Sequence, residues 1–194
     1  MKTLYYCLFI VLFTGQSCSK LVEVDPPITK LTAGNAYTND ANAISVVSSL
    51  YASLSNYSFG RPGGIGSLSA LGSLYTDELG FVHLPGNGTS VYDGFYSNKL
   101  SSTTYGAEYW EGAYTDIYNC NAALNGIAES HTLTPVVKKQ LLSELKFLRS
   151  LYYYFIVNLY GDVPWVTTTD YTVNARVSRT AALQVLKNIQ ADLR

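Results

Sequence analysis

The strongest periodicity in the chain lies between residues 135 and 160. Leu141, Leu145, Leu148, Tyr152, Phe155 and Leu159 alternate by four and three, which places them on one stripe of a helix. Thr134 before Pro135 predicts its start, a capping hydroxyl followed by proline at the first helical position. Gly161 can supply the left-handed stop, and the helix would be about 39 Å long at 1.5 Å per residue. A second helix is predicted over 39–54, with Thr38, Asn39 and Asp40 offering capping oxygens and Ile44, Val47, Tyr51 and Leu54 forming the apolar stripe. A third carries Trp110, Tyr114, Ile117, Asn121, Leu124 and Ala128 at the same alternation. The last begins near Arg179 and Thr180, shows Leu183, Leu186, Ile189 and Leu193, and is still running at Arg194. The pattern therefore predicts four main helices in two pairs.

Between residues 55 and 106 this order is lost. The segment is rich in Gly and Ser, with Tyr75, Phe81, Tyr92, Phe95, Tyr96 and Tyr105 interspersed. A loop of this length needs a function or small elements of its own, so we expect an insertion with short helices or strands. Pro85-Gly86-Asn87-Gly88 marks a turn within it. Further on, Asp162-Val163-Pro164-Trp165 is expected to be extended, because a residue before proline avoids the helical region.

The start of the chain reads differently. Lys2 and the apolar run from Leu4 to Phe13 form an export signal over residues 1–17. That run is too short for a bilayer, which needs about 20 apolar residues. Gly15-Gln16-Ser17-Cys18 resembles the lipobox of a bacterial lipoprotein, although Gly15 stands where a branched aliphatic residue is usual. Cys18 is accordingly the expected lipidation site. Residues 18–34 read as an extended tether, since Pro26-Pro27 prevents a helix. Residues 35–194 form the folded part.

Composition narrows the function. Hydrophobic residues at 47% against 14% charged exclude a disordered chain. A net charge of −1 with scattered Lys and Arg excludes nucleic acid, which demands a concentrated basic face. The 17 tyrosines suit wet binding surfaces, although most are expected to fill helix–helix contacts. Cys7 falls in the signal and Cys18 in the lipobox, so Cys120 is left without a partner and reads as a small buried residue. His83 and His131 alone make no zinc constellation, and neither metal nor cofactor is expected. Catalysis is not expected either. Asp77 and Glu78 are adjacent, whereas a glycosidase sets two carboxylates about 5–9.5 Å apart across one bond, and no Gly-x-Ser-x-Gly elbow occurs.

Several segments together resemble the N-terminal part of the SusD/RagB family. They are Leu21-Val22-Glu23-Val24-Asp25-Pro26, then Trp110 with Ile117, Tyr118, Asn119 and Asn121. The most specific stretch runs Glu144-Leu145-Lys146-Phe147-Leu148-Arg149-Ser150-Leu151-Tyr152-Tyr153-Tyr154-Phe155 and closes on Gly161-Asp162-Val163-Pro164. Arg179-Thr180 and Ile189-Gln190-Ala191-Asp192-Leu193 follow in the family's order. Ser150 stands for the family's usual alanine, Ala181 for a proline and Trp165 for an aliphatic residue. The resemblance implies a mostly α protein of tetratricopeptide-like helix pairs with a long irregular insertion. It implies a surface-exposed lipoprotein of the cell outer membrane in a Bacteroidota-like bacterium. Such a protein captures oligosaccharides, or peptides, for a SusC-like TonB-dependent transporter. The alternative is a helical-repeat surface interaction protein that binds no nutrient. Family members are longer, and about three repeats are needed to close a helical array, so the domain is expected to be incomplete, truncated relative to the family.

Within this frame the insertion is the expected ligand surface, with Asp77 beside Glu78 and Tyr92 beside Tyr96 as candidate contacts. Sugars present C–H faces that pack on rings and hydroxyls that need polar partners. Glu144 and Arg149 are read as architectural, and Asp162 as the residue that fixes the turn after the long helix.

Overall fold

The computed structural model describes residues 35–58, 61–62, 64–80, 91–100 and 107–194. Cys18, the tether, Phe81, Tyr105 and the turn at 85–88 lie outside them. The elements run α1 (Asp40–Asn56), β1 (Tyr57–Ser58), β2 (Arg61–Pro62), α2 (Gly64–Tyr75), α3 (Val91–Tyr96), α4 (Ala107–Glu129), α5 (Pro135–Tyr160), α6 (Tyr171–Asn174) and α7 (Ala182–Asp192). β1 and β2 pair antiparallel, with Tyr57 opposite Pro62 and Ser58 opposite Arg61. Four of the helices, α1, α4, α5 and α7, thus stand where the periodicity puts them. The insertion contributes the hairpin, α2 and α3.

The central unit is the antiparallel pair α4 and α5. Lys138 Nζ donates to Ala128 O at 2.7 Å, Arg149 Nη1 to Asn121 Oδ1 at 2.8 Å, and Trp110 meets Tyr160 at 5.2 Å. The partner numbers fall on one helix as they rise on the other. One core cluster holds Ala43, Val47, Ala123, Ile127, Leu141 and Leu145, where α1 crosses the pair. A second holds Leu71 and Leu74 of α2, Ile117 and Cys120 of α4, Leu148 and Ile156 of α5, and Val185 and Ile189 of α7. Burial pushes the Cys120 thiol up to about 12, as expected of a cysteine that serves packing.

The buried stripes are shifted from those the sequence suggests. On α1 the core takes Ala43 and Val47, while Ile44 is 45% exposed. On α4 it takes Tyr109, Ala113, Ile117, Cys120, Ala123 and Ile127, so Ala128 is exposed. Close approach of two helices selects small side chains at the contact, and hydrophobicity alone ranks Ile above Ala. On α5 the stripe holds from Leu141 to Tyr152, then turns to Tyr153, Ile156 and Val157, which leaves Leu159 half exposed. On α7 the buried pair is Val185 and Ile189, with Leu183, Leu186 and Leu193 outward.

Caps also differ. Asn39 Oδ1 accepts from Asn42 N at 2.9 Å and starts α1. Thr134 precedes α5, but its hydroxyl makes no cap bond. It donates instead to Asp40 Oδ2 at 2.6 Å, and its N–H donates to Asp40 Oδ1 at 2.9 Å. Those two bonds hold the Asp40 carboxyl below its ordinary range. The sign follows: the tie adds stability above the ordinary carboxylate pKa and loses it as pH falls through the lowered one. Asp40→Ala should therefore lower the thermal midpoint at neutral pH and leave it unchanged in acid below that range. An equal loss at both pH values would contradict the account.

Gly161 ends α5 at φ 69°, ψ −121°, a conformation closed to side chains, and its N–H reaches Val157 O at 3.0 Å. Asp162 Oδ1 then caps α7 by accepting from Ala182 N at 2.9 Å, and Val163 bridges Thr180. The Gly-Asp-Val-Pro stretch is thus a joint between two helices. α7 runs through Asp192, with Leu193 at its C-cap.

Candidate functional site

α2 is built from glycine, serine and leucine, a poor composition for an isolated helix. It forms because Leu71 and Leu74 are buried against the α4–α5 pair. The three helices do not close completely. A cavity of about 470 Å³ remains, with Leu68, Leu71 and Tyr75 from α2 and Phe95 from α3 on one side. Tyr109 of α4 and Phe155, Leu159 and Tyr160 at the end of α5 form the other. No Asp, Glu, Lys or Arg lines it among the described residues. Its size is that of a small-molecule cleft. Burial, then the neighbouring Tyr109, push the Tyr160 phenol up to about 12, so its hydroxyl stays neutral.

The predicted contacts distribute unevenly around this cavity. Tyr92 and Tyr96 sit one turn apart on α3, 42% and 46% exposed, so the structure does bring them together. Both lie outside the cavity lining, where Phe95 of the same helix stands. Asp77 is exposed in the turn after α2 at φ 61°, a backbone position that aspartate tolerates better than most residues. It does not line the cavity, and Glu78 accepts from Ser73 Oγ at 3.2 Å. Tyr109, Phe155, Leu159 and Tyr160 were missed because helical spacing assigns such residues to packing. The turn of the α5 stripe after Tyr152 is what brings its last residues to the cavity.

A buried polar network ties the middle of the pair to α7 and to the segment after α5. Arg149, 6% exposed, donates from Nε and Nη2 to Asp192 Oδ2 at 3.0 and 2.6 Å and from Nη1 to Asn121. Asn121 Nδ2 continues to Val166 O at 3.1 Å. Tyr153 OH also donates to Val166 O at 3.0 Å and accepts from Val166 N at 2.6 Å. Trp165 stacks on Tyr153 at 4.1 Å and lies under the Arg149 guanidinium at 5.9 Å. Arg149 is thus architectural, as its helical position suggests. Among the described residues no three His, Cys, Asp or Glu gather as metal ligands would.

The family described as SusD-like, "Starch-binding associating with outer membrane", matches residues 64–194. The chain belongs to this SusD-like family. The curated SusD-like protein P25 of Formosa agariphila is 26% identical over 192 residues, which is 94% of this chain and 35% of that protein. A SusD superfamily protein from Parabacteroides distasonis superposes with a TM-score of 0.59 at 26% identity, over 84% of this chain and 33% of its own. A laminarin-binding SusD-like protein gives 0.63 at 24% identity, over 80% and 33%. The SusD-like chain therefore spans about a third of the length of the relatives it matches. The mostly helical architecture expected of the family is the one observed.

Proposed function

We propose that the protein is a surface-exposed outer-membrane lipoprotein that captures oligosaccharides, or peptides, and passes them to a SusC-like TonB-dependent transporter. The observation that carries this reading is the family match across α2 to α7, whose description joins starch binding to the outer membrane. A lipid on Cys18 would hold the protein, because a triacylated cysteine carries more chains than the two signals that stable anchoring needs. Residues 18–34 would act as the tether and 35–194 as the SusD-like helical domain. No described helix is long and apolar enough to cross a membrane. The cavity between α2, α3 and the α4–α5 pair, uncharged among the described residues and with Tyr92 and Tyr96 outside its lining, favours a ligand held by ring faces and hydroxyls over one held by charge. A laminarin-binding relative supports a neutral glucan as the class to test first.

The protein as its complete gene encodes it should bind soluble starch, laminarin or a peptide saturably, and release no new reducing ends from the glycans. Reducing-sugar release would make it an enzyme. Absence of any binding would favour an interaction protein without a nutrient ligand.

A further inference from the structure

Trp110, Tyr114 and Tyr118 recur every four residues along α4 and form one aromatic row. The segment after α5 lies alongside, and the two enclose a trough of about 310 Å³ completed by Pro164, Val166 and Asn174. We infer that this trough is a second carbohydrate subsite, which takes one or two rings of a neutral oligosaccharide on the aromatic row. The inference rests on the glycan-binding reading above and concerns a place distinct from the insertion cavity. Trp110 and Tyr160 meet edge to face at 5.2 Å, with Trp110 on the trough side and Tyr160 on the cavity side.

Three observations favour a sugar. The row is held before any ligand arrives: Tyr114 OH donates to Pro164 O at 2.7 Å, Tyr114 packs on Trp110 at 5.0 Å, and the Arg179 guanidinium covers Trp110 at 5.0 Å. Little side-chain freedom remains to be lost on binding. Tyr118, at the open end, is 50% exposed and offers a ring to a flat C–H face. Asn174 at the edge donates through Nδ2 to Thr168 O at 2.9 Å, while its Oδ1 is buried with no hydrogen-bond partner. That acceptor is costly to leave unpaired, and a ligand hydroxyl reaches it once the Asn174 amide turns toward the trough.

Two further points limit the occupant. Among the described residues the lining itself carries no charged side chain, and the adjacent Arg179 guanidinium is engaged by Trp110 and by Asp162 O. The volume admits a small ring, whereas a stable protein partner covers about 800 Å² of each surface.

The test is Tyr118→Ala in the protein as its complete gene encodes it, titrated with maltoheptaose and laminarihexaose and followed by hydrogen exchange. The half-exposed ring can be removed without opening the core. Wild-type protein should bind one of the two, with protection gained in peptides spanning 110–118 and 164–177. The variant should lose that protection and bind about tenfold more weakly, the scale of one stacking contact. Binding that survives within twofold, with no protection in those peptides, would overturn the subsite and leave the glycan reading intact. Failure of the wild type to bind either oligosaccharide would overturn both the subsite and the neutral-glucan reading on which it rests.

Discussion

Replacement of Arg149 by leucine is expected to cost about 3 kcal/mol of folding stability, the lower end for breaking a buried ion pair. The guanidinium holds Asp192 of α7 and Asn121 of α4 together, and both partners would keep their desolvation cost after it is gone. Asp192 retains some solvent access, which limits the loss. Arg149→Lys should fall between, because one ammonium cannot match a planar fork that bonds two acceptors. Urea unfolding followed by circular dichroism measures both variants. A loss under about 0.5 kcal/mol for leucine would mean that the network is screened like a surface pair.

The second large effect separates two leucines that the sequence treats alike. Leu148 and Leu159 fall on the same predicted stripe of α5. Leu148 is fully buried in the core shared by α4, α5 and α7, whereas Leu159 is half exposed at the cavity rim. Leu148→Ala should cost about 3–5 kcal/mol, since a site walled by neighbouring helices collapses poorly around a missing side chain. Leu159→Ala should stay within about 1 kcal/mol. Equal losses would show that the stripe continues straight and that the cavity is filled.

This contrast also marks how far the sequence could be read. Helix α5 was legible to the residue at both ends, because a long four-three alternation, Pro135 and Gly161 all agree. The phases of α1 and α4 were not. There Ala43, Ala113 and Ala123 are fully buried, and small residues carry almost no hydrophobic signal. Thr134 misled for another reason. Its hydroxyl finds Asp40, a partner 94 residues away, and local capping rules are blind to such a bond. Short elements are expected in the insertion, but α2 is not located by pattern, because its glycines and serines disfavour a helix that tertiary contact nonetheless forms.

For the candidate site the balance is different. The length and rings of the insertion point to small elements of its own, and Tyr92 and Tyr96 do share a face of α3. Asp77 stands in the turn after α2, outside the cavity lining. The walls of both concavities come from helices whose aromatic residues also pack the core. Tyr109 and Trp110 are neighbours in sequence, yet one lines the cavity and the other the trough. No linear pattern distinguishes a ring that faces a cavity from one that faces a helix.

The proposed function couples capture to uptake. The most direct measurement is gentle extraction of the tagged protein from the outer membrane of its own host, followed by identification of what co-purifies. A large TonB-dependent barrel in near-equal amount is the expected result. A surface-exposed protein recovered without any such barrel would contradict it.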